Sequence, residues 1–167
     1  LPTGFKQLDE KTSGLQPSDL IIVAARPGMG KTAFALNIAQ QSAVKAGASV
    51  LIFSLEMSQE QLGQRLIAMQ ARVESEKLKK GTLDLKDWDR INFALNELNN
   101  TKIVIDDTPG ISIMEMRNKC RRLKAEQGLD LIVVDYLQLM TFDGRADSRQ
   151  QEISALSRHL KLLAREM

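Results

Sequence analysis

The sequence predicts an α/β fold, a mostly parallel sheet with helices on both faces. Three observations carry this. Short β-branched runs alternate with longer amphipathic stretches along the 167 residues. The runs are apolar throughout, as in strands covered on both sides, rather than alternating like half-solvated ones. Phosphate-binding and acidic residues follow the carboxyl ends of these runs, where ligands bind on such a sheet.

The elements follow in order. Asp19–Ala24 reads as a strand, and Lys31–Lys45 as a helix stopped by Gly47. Ser49–Leu55 is the next strand. Ser58 and Gln61 form a capping box that opens a helix to about Val73. A linker with a helical turn near Gly81 leads to a helix over Leu85–Asn99. Ile103–Asp106 is a third strand, and Ser112 with Glu115 is a second capping box, opening a helix to Gln127 that Gly128 stops. Leu131–Asp135 is a fourth strand. A polar, glycine-containing loop around Thr141–Ser148 precedes a last helix from Arg149 onward.

Composition narrows the class without choosing a function. Hydrophobic residues make up 43% and charged residues 26%, as in ordinary globular domains. A formal charge of +2 neither demands nor excludes a nucleic-acid partner. Cys120 is the one cysteine, so no internal disulfide and no cysteine-rich zinc site can form, which suits a reducing cytosol. No apolar run approaches the ~20 residues that cross a bilayer. The chain opens at Leu1, and Met167 ends a helical pattern without a stop signal, the pattern expected of a piece of a longer protein.

The stretch ARPGMGKT, Ala25–Thr32, lies between a predicted strand and a predicted helix. Glycines at 28 and 30 let backbone N–H groups converge on a phosphate, and the helix start adds more. Lys31 then neutralises the β- and γ-phosphates while the Thr32 hydroxyl ligates Mg²⁺. The nucleotide-binding set is Ala25, Arg26, Pro27, Gly28, Met29, Gly30, Lys31, Thr32, Ala33 and Asp135. Ala25 stands where the usual pattern has glycine, a mild departure if Gly28 and Gly30 make the essential turn. Asp135, at the tip of an apolar strand, is placed to hold the water shell of Mg²⁺.

Other residues carry two readings. Position alone leaves Glu56 open between a water-activating carboxylate and an exposed helix-entry residue favoured by the dipole. Asp106 and Asp107, in IDDTPG, read as turn chemistry in preference to nucleotide contacts. Gln138 either faces substrate or ends a strand. Around the basic run Arg117–Lys124, Ile113, Met116, Cys120, Leu123 and Gln127 fall on one helical stripe, so the charges line the opposite face. A solvated face or a subunit contact fits that better than DNA. His159, without a second histidine, is neither a metal ligand nor a base.

Longer strings resemble a known family. LPTGFKQLDEKTSGLQPSDLIIVAARPGMGKT, FSLEMS and VVDYLQLM are similar to the ATPase domain of bacterial replicative DNA helicases, the DnaB family. NKCRRLK and RQQEIS extend the resemblance over essentially the whole chain. It implies a RecA-like P-loop core using ATP and Mg²⁺, with Lys31 and Thr32 in the phosphate loop. It matches Glu56 to the catalytic glutamate and Asp135 to the Mg²⁺-linked aspartate. It further implies a homohexameric ring translocating on single-stranded DNA, primase and helicase-loader partners, and a cytoplasmic, nucleoid-associated setting. Past Met167 it implies another strand with a γ-phosphate-sensing residue, DNA-contacting loops and an arginine finger for the neighbouring subunit. A RecA-like recombinase, a P-loop small-molecule kinase and a docking module without turnover are the competing classes.

Overall fold

Why one sheet forms is clearest from its central strand. In the computed structural model, which describes residues 1–142 and 144–167, β1 (Ser49–Ser54) is buried at every position. Parallel neighbours flank it, β2 (Lys102–Asp106) on one side and β3 (Leu131–Asp135) on the other. The register sets Ile52 opposite both Ile105 and Val133, and Ser54 opposite Asp135.

Alternation along β1 sends its side chains into two different cores. Val50 and Ile52 pack with Leu36, Ala39 and Ala43 of α2 (Lys31–Ala46) and with Leu62 and Leu66 of α3 (Gln59–Ala71). Leu51 and Phe53 point the other way, into Met116 and Cys120 of α6 (Ile113–Gln127) and Leu156 and Leu163 of α7 (Arg149–Glu166). The predicted helices on both faces are there. Phe53 is fully buried, and a cavity of that kind costs roughly 3–5 kcal/mol when a phenylalanine is cut to alanine. A satellite cluster of Ala71, Val73, Ile91 and Ala94 joins α3 to α5 (Leu85–Asn99).

Local signals set most element ends. The Ser58 hydroxyl accepts from the Gln61 amide at 3.3 Å, and the Gln61 side chain accepts from the Ser58 amide at 3.1 Å, completing the predicted box. At α6 the serine half is formed, Ser112 accepting from the Glu115 amide at 3.2 Å. Asp84 and Asp87 form a further box at α5 that sequence reasoning missed. The turn expected near Gly81 is the short helix α4 (Ser75–Lys80), which Gly81 ends at φ 68°. In the loop at 141–148, position 143 lies outside the described residues; Ser148 caps α7.

One expected strand is not formed. Asp19–Ala24 has no regular structure and pairs with no strand among the described residues, with Ile21, Ile22 and Val23 exposed by 54%, 70% and 42%. A strand needs a neighbour, and among the described residues the ladder of β3 runs to β1 alone. The segment is held at its start, where Leu20 packs on the core and Lys161 donates to the Ser18 carbonyl at 2.7 Å. An unforeseen helix, α1 (Lys6–Thr12), precedes it. The Thr3 amide donates to Asp9 at 2.9 Å, and Phe5 stacks on Phe34 of α2 at 5.2 Å between centroids, tying this end to α2. No helix among the described residues is long and apolar enough to cross a membrane.

Candidate nucleotide-binding site

The loop between Ala25 and Lys31 turns where the sequence said it could. Gly28 has φ 75° and Gly30, the residue before α2, has φ 87°, a left-handed region that a Cβ disfavours. The Met29 amide donates to the Arg26 carbonyl at 3.3 Å, closing the turn around Pro27. Ala25 is not among the positive-φ residues, so its methyl is compatible with the backbone there. At the start of α2 the amides of Lys31, Thr32 and Ala33 have no carbonyl one turn back within the helix, which leaves them for an anion.

Asp135 completes the constellation. Its carboxylate is almost entirely buried, and it accepts from the Thr32 hydroxyl at 2.7 Å, with the Lys31 ammonium at 3.7 Å from its other oxygen. A buried carboxylate needs such partners, because desolvating it alone costs several kcal/mol. The ring of Tyr136 lies under the same ammonium, 4.1 Å from centroid to Nζ. Sequence reasoning did not single out Tyr136, since an aromatic residue after a strand carries no spacing signal of its own.

Glu56 reaches the same rim by a different route. The Leu55 amide donates to the Asp135 carbonyl at 2.8 Å, carrying the ladder one residue past β1. The chain then bends, with the Ser54 hydroxyl donating to the Met57 carbonyl at 2.8 Å, and leaves Glu56 exposed. Among the described residues no hydrogen bond or ion pair joins Glu56 to Lys31, Thr32 or Asp135. The structure therefore brings together three of the predicted residues and sets the fourth on the neighbouring strand end. Two surface grooves, one lined by Gly4, Lys6, Asp9 and Glu10 and the other by Gln70, Arg72, Arg90 and Phe93, contain none of them. A phosphate cradle is a ring of N–H donors on a turn and needs no deep cavity.

The acidic pair at the end of β2 is structural, as the turn reading expects. Asp107 accepts from the Gln59 amide at 2.9 Å, capping α3 from a distant loop. Asp106 accepts from Lys119 at 2.5 Å and from the Thr108 amide at 3.0 Å. Burial pushes the Asp106 carboxyl up, but Lys119 and Thr108 together hold it below the ordinary carboxylate value. A depressed folded-state pKa contributes stability above the unfolded value, near 4, and loses it as pH falls through the folded value. Lys119→Met is accordingly expected to cost about 1–2 kcal/mol at neutral pH, the scale of a charged hydrogen bond. The deficit should shrink below about pH 4 in denaturant melts, as the lowered Asp106 pKa is approached. A deficit independent of pH would assign the role of Lys119 to packing.

Four of the five basic residues in the run of α6 are paired within the chain, Lys119 with Asp106 as above. Arg117 and Arg121 both pair with Glu166, and Lys124 donates to the Met167 carbonyl at 2.7 Å. Burial pushes the Cys120 thiol up to about 12, with the Glu166 charge adding to it, so this cysteine is an inert core residue. The Gln138 carbonyl accepts from Arg149, and His159 is exposed on α7. No group of three or more His, Cys, Asp or Glu that could hold a metal ion occurs among the described residues.

Comparison with known proteins agrees with this architecture. Residues 1–167 match the DnaB-like helicase C terminal domain. The replicative DNA helicase DnaC of Bacillus subtilis (strain 168) is 54% identical over 168 residues, covering 100% of this chain and 37% of the relative. The replicative DNA helicase DnaB of Geobacillus stearothermophilus shows the same identity and coverage. A solved DnaB-like replicative helicase, described with its interactions with primase, superposes with a TM-score of 0.92 at 37% identity. That match takes in 99% of this chain and 40% of the other. The chain thus spans little more than a third of the curated relatives it matches. With a parallel sheet between two helical layers and a glycine-turned loop facing a strand-end aspartate, the chain belongs to the DnaB-like helicase C-terminal domain family.

Proposed function

We propose that this chain is the ATP-binding motor core of a hexameric replicative DNA helicase, coupling ATP hydrolysis to translocation on single-stranded DNA and duplex unwinding. The observation that carries the reading is the convergence of Lys31 and Thr32 on Asp135 at the mouth of the Gly28–Gly30 turn. Primase and a helicase loader are the expected protein partners. The primase interactions described for the similar solved helicase support the first. The cytoplasm, at the nucleoid, is the expected setting.

The residues divide the chemistry among them. The amides at the start of α2, those of Lys31, Thr32 and Ala33, and the Lys31 ammonium bind the phosphates and oppose their charge. Thr32 and Asp135 present two oxygens within one hydrogen-bond length, a hard-donor pair that fits Mg²⁺, a cation that takes oxygen ligands and keeps several waters. Bound there, Mg²⁺ would neutralise charge on the transferring phosphoryl group. Glu56 orients the attacking water and accepts its proton.

Lys31→Ala is the direct test. Removing the main positive charge of the cradle should weaken binding of a fluorescent ATP analogue at least about tenfold, with the fold intact by circular dichroism. Unchanged affinity would remove the phosphate-loop assignment. Phosphate release with and without single-stranded DNA, and without any acceptor, separates the helicase reading from a kinase or a docking module.

A further inference from the structure

Lys31 is held on two sides. Its ammonium lies 3.7 Å from an Asp135 oxygen and 4.1 Å from the centre of the Tyr136 ring, and its side chain is 29% exposed. The face of an aromatic ring attracts a cation through its quadrupole, most strongly where water is partly excluded. Tyr136 is itself half-buried and sits next to Asp135, so the strand end aims carboxylate and ring at one ammonium. To meet the phosphates of a nucleotide on the 28–33 turn, that ammonium must give up part of this double contact.

We propose that Tyr136 is a positioning residue that, together with Asp135, holds the Lys31 ammonium back in the nucleotide-free protein and so sets a ceiling on nucleotide affinity. The inference rests on the phosphate-loop reading of Ala25–Thr32. Apparent affinity falls by the fraction of molecules whose binding-competent arrangement is populated, here those with Lys31 released. The same contact favours product release, because the ammonium has a place to return to when the phosphates leave. Tyr136 need not touch the nucleotide; it acts through Lys31.

The prediction has an unusual sign: weakening the ring should tighten binding. In the full-length protein, titrated with a fluorescent ADP analogue, Tyr136→Phe keeps the ring and should lie within about 1.5-fold of the native affinity. Replacing Tyr136 by 3,4,5-trifluorophenylalanine keeps the shape but drains the ring face, and should tighten binding about 3-fold, the scale of a partly exposed cation–π contact. Tyr136→Leu should move in the same direction. In a Lys31→Ala background the ring substitutions should have no effect, the signature of a contact made through Lys31. Damage to the fold would loosen binding in both backgrounds, so it cannot imitate this pattern. Affinity that is unchanged or weaker along the phenylalanine–trifluorophenylalanine pair, in protein with native circular dichroism, overturns the role of Tyr136. If Lys31→Ala alone leaves affinity intact, the phosphate-loop reading fails first and this inference fails with it.

Discussion

Glu56→Gln in the full-length protein is expected to preserve nucleotide binding while lowering ATP turnover by ~10²-fold or more, the usual scale for a general base. Glutamine keeps the shape and the hydrogen-bonding capacity but loses the negative charge and the basic oxygen. The competing reading makes Glu56 a favourable charge before α3, and the structure weakens the need for it. The entry to α3 is already satisfied by the Ser58–Gln61 box and by Asp107, which accepts from the Gln59 amide at 2.9 Å. Glu56 instead leaves the sheet one residue past the Leu55–Asp135 hydrogen bond, on the rim that carries Lys31 and Thr32. A residue at that strand end, exposed and without an ion-pair partner among the described residues, is free to take a water as its partner. Phosphate release at saturating ATP, read beside nucleotide affinity, decides the matter. Near-native turnover would assign the catalytic water to another residue.

What could be read from the sequence follows a physical line. Features written within a few residues were legible: the Ser58–Gln61 box, the stop at Gly47, the stripe of Met116 and Cys120, and the glycine turn before Lys31. The pairing of Lys31 and Thr32 with Asp135 was legible too, because a phosphate loop and a strand-ending carboxylate imply each other on a parallel sheet. Features that depend on what lies alongside were not. Asp19–Ala24 has the composition of a buried strand, yet strandedness is a property of a pair, and no described residue pairs with it. The seven residues of α1 are too few to be stable alone; Thr3 and the stacking of Phe5 on Phe34 hold them. The cap that Asp107 gives to α3 and the place of Tyr136 under Lys31 both come from strand register, which fixes distant neighbours without leaving a local mark.

Residues 1–167 produced alone are expected to show ATP turnover at least about 10³-fold below that of the full-length protein, and no unwinding. Binding of Mg²⁺–ATP should survive in part, since Lys31, Thr32, Glu56 and Asp135 are all present. Two physical deficits limit the rest. The first is in the sheet: among the described residues β3 is bonded to β1 only, and the run that feeds the phosphate loop is outside the sheet with Ile22 70% exposed. An open strand edge beside exposed apolar side chains associates with whatever can pair with it, so the piece should be poorly stable or aggregate. A further strand of the kind the family resemblance implies would pair with that open edge. The second deficit is charge: the arginine implied from a neighbouring subunit is an element worth ~10³–10⁵ in rate at related phosphoryl-transfer sites. A C-terminal extension should therefore restore solubility and affinity, and ring assembly should restore turnover, in that order. Purified residues 1–167 assayed for phosphate release on single-stranded DNA provide the test. Robust DNA-stimulated turnover would mean that the catalytic apparatus is complete within these residues and that neither the added strand nor the neighbour's arginine is required.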